Sequence, residues 1–364
     1  MGRRQSRRRG GDIHGALLSA PGAVRSGALR RLPGAARAGP GRAPVPRALC
    51  GRRHRRAERR RPARMIGDRR TDAVRECPMC GAAGASSLVG APSPRMVRCR
   101  ACRLAYRDPL PAPGPPPDSL EPDHETIRLE ERVADRRSHE FRRLLARAGR
   151  PGRVLDVGTG FGYFLRLAGE AGWDAVGVDV DEQAVHYART RLGVNALASD
   201  LHGCRFPDAS FDLVTLWNVL EFVATPLQLL EEVRRVVKPR GGVFIRTQNL
   251  AWQLASFRAA AGLKRLGLGA PLERTPRLTF IFNTNCFSRT TLALVLERTG
   301  LEPLSIRNSP PVPGDPYLGL GTPGELVFGL VKRVIFGAAL AIAFASVHRW
   351  LVGPSLEAWG RPAP

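Results

Sequence analysis

The chain has 364 residues, long enough for one full α/β catalytic domain with appendages. Its formal net charge of +25 would point to nucleic acid if it were spread over a folded surface. Residues 1–64, however, hold 19 Arg against one Asp and one Glu, so +17 lies there and +8 is left for everything after, which disfavours a nucleic-acid enzyme. This opening segment is rich in Gly, Ala and Pro and lacks apolar periodicity, so it is expected to be disordered. Three readings are open for it: an RNA-tethering arm, an organelle transit peptide, or translated upstream sequence not in the native product, with Met65 as a natural start. The scarcity of hydroxyl residues and of any amphipathic helix weighs against a transit peptide.

Next in the chain come two C-x-x-C pairs, Cys77 with Cys80 and Cys99 with Cys102. Two such pairs at this separation read as the knuckles of one zinc ribbon, 65–110, with four thiolates around a structural Zn2+. So short a segment has too little apolar content to fold alone, and metal binding contributes most of its folding free energy. Two disulfides and free thiols are the alternatives, weakened because no export signal accompanies the cysteines. The first knuckle ends in Gly81, as a tight turn prefers, but the second ends in Arg103. Cys50, Cys204 and Cys286 have no comparable spacing and read as unpaired thiols. A proline-rich linker, 111–123, leads to a charged helix predicted over Thr126 to Ala148, which is expected to pack beside a ligand site.

Val154 to Gly162 reads Val-Leu-Asp-Val-Gly-Thr-Gly-Phe-Gly. An apolar strand closes on Asp156 and enters glycines spaced G-x-G-x-G, not the G-x-G-x-x-G of dinucleotide binders. Glycines here let the chain turn sharply and let a ligand touch bare backbone. The acidic residue argues against a phosphate and for a cationic or zwitterionic nucleoside, for which S-adenosylmethionine qualifies. A second strand, Asp174 to Val178, ends in Asp179, at the distance where an acid accepts ribose hydroxyls. Asn195 to Ser199 reads as a third strand ending at Asp200, and Phe211 to Leu216 as a fourth, buried one. A helix over Pro226 to Val237 starts on its proline, and Lys238-Pro239-Arg240-Gly241-Gly242 ends it before a fifth strand, Val243 to Thr247.

From roughly Arg153 to Asn249 this ordered series resembles the class I S-adenosylmethionine-dependent methyltransferases. The resemblance implies an α/β, Rossmann-like seven-stranded sheet with helices on both faces. It also implies that Gly158, Gly160 and Gly162, with Thr159, line the methionine portion of the cofactor. Asp156 would support the amino group through the loop, Asp179 with Val180 would bind ribose, Asp200 with Leu201 would flank adenine, and Asn218 would complete the cofactor site. Many relatives read Leu-Glu-His after the fourth strand, whereas this chain reads Leu220-Glu221-Phe222, so that histidine base is absent. Glu221, at the mouth of the predicted site, is the candidate base in its place; loop ordering is its other reading. His186 reads as solvated, and His202 is a weaker second candidate. The ribbon together with this domain resembles bacterial methyltransferases that act on sugars or other small metabolites. It also resembles, less closely, zinc-ribbon ribosomal RNA guanine methyltransferases.

Beyond Asn249 an insertion, 250–287, is expected to build the acceptor pocket, with Trp252 to Leu266 as a helix that packs or forms a lid. Ser288 is predicted to cap a helix ending at Gly300, within a domain spanning 124–318. Leu301 to Arg307 reads as the sixth strand and Ser355 to Gly360, within 353–364, as the seventh. Between them, in 319–352, the apolar stretch 326–347 is interrupted by Lys332 and Arg333, which leaves a charge-free run of fourteen residues, Val334 to Val347, too few for a span of about twenty. If the last two strands pair, both ends of the insertion lie on one side of any bilayer. A helix packed on the domain, a dimer contact and an interfacial membrane helix remain open. The expected function is methyl transfer, at oxygen, to a small-molecule or glycan acceptor by a cytoplasmic enzyme with peripheral membrane contact through 326–347. The rivals are an RNA methyltransferase and a non-catalytic zinc-ribbon binding protein with a vestigial cofactor fold. Oligomeric state is not legible.

Overall fold

The computed structural model describes residues 76–89, 95–108, 110, 124–265, 283–310 and 323–364. The Arg-rich segment 1–64, Met65, the linker 111–123 and much of the 250–287 insertion lie outside the described residues. The first elements in chain order are β1 (Ala85–Val89), β2 (Arg95–Cys99), β3 (Ala105–Asp108), α1 (His124–Ala148), β4 (Arg153–Val157) and α2 (Tyr163–Glu170). They are followed by β5 (Asp174–Asp179), α3 (Glu182–Leu192), β6 (Asn195–Ala198), β7 (Phe211–Trp217), α4 (Pro226–Val236) and β8 (Val237–Gln248). Last come α5 (Leu250–Arg265), β9 (Asn285–Cys286), α6 (Arg289–Arg298), β10 (Leu301–Asn308), α7 (Pro323–Ala345) and β11 (Ser355–Pro362).

The larger sheet has the order β10-β11-β8-β7-β4-β5-β6. Strands β4 to β8 run parallel and are apolar on both faces, whereas β11 enters antiparallel between β8 and β10. The order reverses direction between β4 and β7, so the carboxyl ends of β4, β5 and β7 open a crevice there. Local signals set the helix ends. Asp181 caps α3 by accepting from the amides of Gln183 at 2.9 Å and Ala184 at 3.1 Å. Ser288 and Thr291 bond reciprocally at the start of α6, as the sequence predicts.

An aromatic seam fills the core between helix and sheet. Phe141 of α1 meets Phe164 of α2 and Trp217 of β7 edge-on, with centroids 5.3 and 4.7 Å apart. Trp217 continues to Phe244 at 4.6 Å, and Phe244 to Trp359 of β11 at 5.6 Å. Beside this seam runs a row of charge. Arg307, Glu357 and Arg246 stand opposite one another across β10, β11 and β8. Glu357, 1% exposed, accepts from Arg143 of α1 at 3.1 Å, from Arg307 at 3.1 Å and from the Ser309 hydroxyl at 3.1 Å. Arg246 donates to Ser309 Oγ at 3.0 Å and to Asn218 Oδ1. A cavity of about 10 Å³ under α1, lined by Glu140, Trp217 and Glu357, has room for one water and no ligand.

Two expectations change. The break predicted at Lys238–Gly242 is absorbed into β8. Phe211 pairs with Val237 and Leu213 with Gly242, so the residues between bulge out while Lys238 Nζ holds both oxygens of Asp212 at 2.8 Å. In the insertion, β9 pairs antiparallel with β3 as the fourth strand of the ribbon sheet. Leu250 and Leu254 of α5 pack with Met96, Ala105 and Cys286, so the start of α5 is a bed for the ribbon and not a lid. The physical reason is area: the small ribbon sheet has to bury one face against something.

Truncating Phe244 to Ala, in the middle of the aromatic seam, is expected to cost about 3–5 kcal/mol in urea denaturation.

Candidate functional site

The crevice begins at the loop after β4. Gly158 takes φ +71 and donates to Val178 O at 2.8 Å, and a Cβ on it would lie 2.4 Å from Val219 Cγ2. Gly160, at φ +52, has nothing within 4 Å of where its Cβ would stand. The first glycine is therefore required by packing, whereas the second leaves bare backbone facing open space. Asp179 ties this loop to β5: its Oδ2 accepts from the Gly160 amide at 2.7 Å and its Oδ1 from the Asp181 amide at 3.0 Å. Burial raises its pKa, opposed by those same two amides. Val180 beside it is 51% exposed, an apolar side chain presented to the crevice rim. Asp200 is exposed and accepts from the Gly203 amide, while Leu201 is buried next to it.

Asp156 lies beneath the loop instead of facing a ligand. Its Oδ1 accepts from the Thr215 hydroxyl at 2.6 Å. Burial pushes its pKa up to about 7, against the pull of the Thr215 and Thr159 hydroxyls and with help from the nearby Asp179 charge. Asn218, at φ +57 after β7, has its Oδ1 taken by Arg246. The Thr159 hydroxyl is buried, near enough to Asp156 to lower its pKa though outside strict hydrogen-bond geometry.

Glu221 was expected at the mouth and instead is 1% exposed, with neither carboxylate oxygen in hydrogen-bond geometry with a partner. Burial raises its pKa, opposed by its own backbone amide, Thr247 and Arg246. Arg137 and Glu140, from α1, belong to the same group of charges. Burial and Arg246 push Arg137 down to about 10, and burial raises Glu140 against the pull of Arg246 and Arg137. The exposed residue of this loop is Phe222. His186 is exposed on α3, and His202 is exposed with Nδ1 4.0 Å from Glu232. The sequence reading missed Arg246, Arg137, Glu140 and Thr215. Arg246 carried a signal: a charge directly after the apolar run Val243–Ile245 of a central strand.

The strand order with its crevice, the glycine loop and the Asp179 clamp converge with comparison to known proteins. The family described as "Methyltransferase domain" matches residues 129–306. Over these residues the chain is similar to the methyltransferases. The chain is 31% identical to a malonyl-[acyl-carrier protein] O-methyltransferase of Erwinia pyrifoliae over 137 residues, 37% of this chain and 51% of the relative. It is 35% identical to a ubiquinone biosynthesis O-methyltransferase of Paraburkholderia phymatum over 104 residues, 27% of this chain and 44% of the relative. It is 37% identical to a probable S-adenosylmethionine-dependent methyltransferase of Mycolicibacterium smegmatis over 117 residues, 31% of this chain and 45% of the relative. The chain thus spans about half the length of the curated relatives it matches.

Against the methyltransferase domain sits the four-cysteine centre. The Sγ atoms of Cys77, Cys80, Cys99 and Cys102 all lie within 4.8 Å of one another, with Cys77 to Cys102 at 3.5 Å and Cys80 to Cys99 at 3.6 Å. All four are free thiols, so the disulfide alternative fails. A tetrahedron of thiolates about 2.3 Å from a zinc ion has edges of about 3.8 Å, which this set fits. The two knuckles share one hydrogen-bond pattern: Cys77 N to Ala82 O and Gly81 N to Cys77 O in the first, Cys99 N to Leu104 O and Arg103 N to Cys99 O in the second. Arg103 adopts φ 67 to match the φ 66 of Gly81, so the arginine at this turn is accommodated with backbone strain.

The raised pKa of Asp156 has a sign. Its protonated form is favoured in the fold, so its contribution is fully present below about pH 4, the unfolded value, and is lost as pH rises through about 7. Asp179, Glu140 and Glu221 are shifted the same way. Urea midpoints measured across this window should therefore fall for the wild type. The Asp156→Asn variant should lose a few kcal/mol less over the same range.

Proposed function

We propose that this protein transfers a methyl group from S-adenosylmethionine to a hydroxyl of a small-molecule or glycan acceptor, and that the four cysteines hold a structural zinc ion. The observation that carries the reading is the Asp179 clamp on Gly160, which leaves a carboxylate and open backbone together at the carboxyl ends of β4 and β5. Gly160 and Thr159 would receive the methionine portion, Asp179 with Val180 the ribose, and Asp200 with Leu201 the adenine edge. Asp156, neutral or shared in charge near pH 7, supports the loop from below through Thr215. Asn218, held by Arg246, shapes the floor between cofactor and acceptor.

The cofactor, when bound, supplies an electrophilic sulfonium methyl, so the protein's task is to align the acceptor and remove its proton. Glu221 is the base in this reading. Its buried carboxyl has a raised pKa, and Arg246 and Arg137 pull the other way, toward the ionised form. Oxygen as the acceptor atom is supported by the printed names of the relatives from Erwinia pyrifoliae and Paraburkholderia phymatum, both O-methyltransferases.

Calorimetric titration of S-adenosylhomocysteine tests the cofactor half. Micromolar binding that weakens about 100-fold in Asp179→Ala is expected, and no binding to the folded wild type would refute the site. With an acceptor found by screening, Glu221→Gln should lower kcat by about 100-fold or more and leave S-adenosylhomocysteine affinity unchanged. An unaltered kcat would remove Glu221 from the role.

Metal removal has a separate readout. Because β9 pairs with β3 and Arg107 N donates to Thr284 O at 2.9 Å, chelation should remove hydrogen-exchange protection from 95–108 and from 284–287 together. Protection retained at 284–287 would show that β9 holds its place without the ribbon.

A further inference from the structure

Helix α7 is attached to the domain by very little. Among its described side chains Ala339 and Ala343 are buried, and Asn308 Nδ2 donates to Ala339 O at 3.2 Å. The opposite face is apolar and open to solvent. At 100° per residue Leu330, Val334, Leu340 and Phe344 fall within about 120° of one another, on the side away from the two alanines, and Arg333 shares this sector at its amino end, between Leu330 and Val334. Phe344 and Val347 are each 81% exposed and Trp350, just past the helix, is 69% exposed. Isolated exposed apolar residues need no explanation, but a continuous face of this kind marks an interaction surface.

Charge decides what it meets. From Leu326 to Leu356 the sequence contains no Asp or Glu, whereas Lys332, Arg333, His348 and Arg349 bracket the apolar run. Arg333, His348 and Arg349 are exposed. A second copy docked by a two-fold axis would bring Arg333 of each chain toward Arg349 of the other, cation against cation with no acidic residue between. An anionic lipid surface offers the complement: apolar depth for Phe344 and Val347, an interfacial level for Trp350, and negative headgroups for the arginines at both ends. No helix among the described residues is long and apolar enough to cross a membrane. The antiparallel pairing of β10 with β11 moreover returns the chain to the sheet on the side it left.

We propose that the outer face of α7, with the turn to Trp350, lies in the plane of an anionic lipid surface and seats the protein there as a monotopic attachment. The proposal does not depend on the methyl-transfer reading. The test uses the full chain and vesicles of phosphatidylcholine with or without phosphatidylglycerol, some carrying brominated acyl chains. The wild type should float with the anionic vesicles. Brominated chains should quench the fluorescence component that Trp350→Phe removes. The double variant Phe344→Glu with Val347→Glu, both exposed, should lower partitioning by about tenfold or more while binding S-adenosylhomocysteine like the wild type. Binding with Trp350 unquenched, or equal flotation of the double variant, would mean that the basic segment 1–64 alone holds the vesicle and would overturn the proposal. So would a lipid-free dimer abolished by the double variant with no vesicle binding, which assigns the face to a second copy.

Discussion

A carboxylate cannot be left alone in a protein interior, and much of this structure depends on how Glu357 is satisfied. Losing one partner of a buried ion pair costs about 3–5 kcal/mol, because the remaining charge stays out of water. Here the partners come from far apart in the chain. Arg143 arrives on α1, Arg307 on β10 and Ser309 just after it, and the Ser309 hydroxyl passes the network on to Arg246 and Asn218. Each partner can be in place only if α1 lies on the sheet, β10 and β11 are in register, and the turn after β7 is closed. The charges thus enforce a geometry that the aromatic seam beside them, being non-directional, could reach in several ways.

The same network reaches the chemistry. Asn218 takes a positive φ at the point where β7 hands over to the loop carrying Glu221, and Arg246 holds it there. On the far side, Asn285 closes that loop: its amide donates to Glu221 O at 2.9 Å and its side-chain amide to Val223 O. Since Asn285 also belongs to the strand that pairs with β3, the loop bearing the candidate base is braced from the sheet on one side and from the ribbon on the other. The ribbon shares an apolar cluster with α5 and β9 and so forms a wall of the larger domain.

The glycine loop and its acids were legible because they are local. The glycine spacing and strand-end acids at Asp156 and Asp179 are each fixed by a short stretch of backbone, and so are the cysteine knuckles. The places of the seven strands along the chain followed from the same series of short patterns. What the sequence hid is what depends on long-range pairing. Glu221 read as a residue at the mouth because a loop position gives no sign of what covers it. The covering strand, β9, is two residues long, far too short to carry a period. Arg137 and Glu140 were lost among the many charges of α1, since an amphipathic pattern does not distinguish a solvated charge from one turned toward another buried charge. The partner of Asp156 was hidden for a related reason: Thr215 is a strand away, and that pairing makes the acid a prop for the loop.

The placement of β11 bears on how the molecule is made. Among the described residues strand β10 has no neighbour in the sheet except β11, so when it leaves the ribosome it has no strand to pair with. The whole of α7 must be translated before residues 355–362 appear to receive it. For that interval the most apolar helix among the described residues is tethered to an incomplete sheet, with Asn308 of β10 against its alanine face. Vectorial synthesis therefore gives this helix an early encounter with its surroundings, before the domain that carries it has closed.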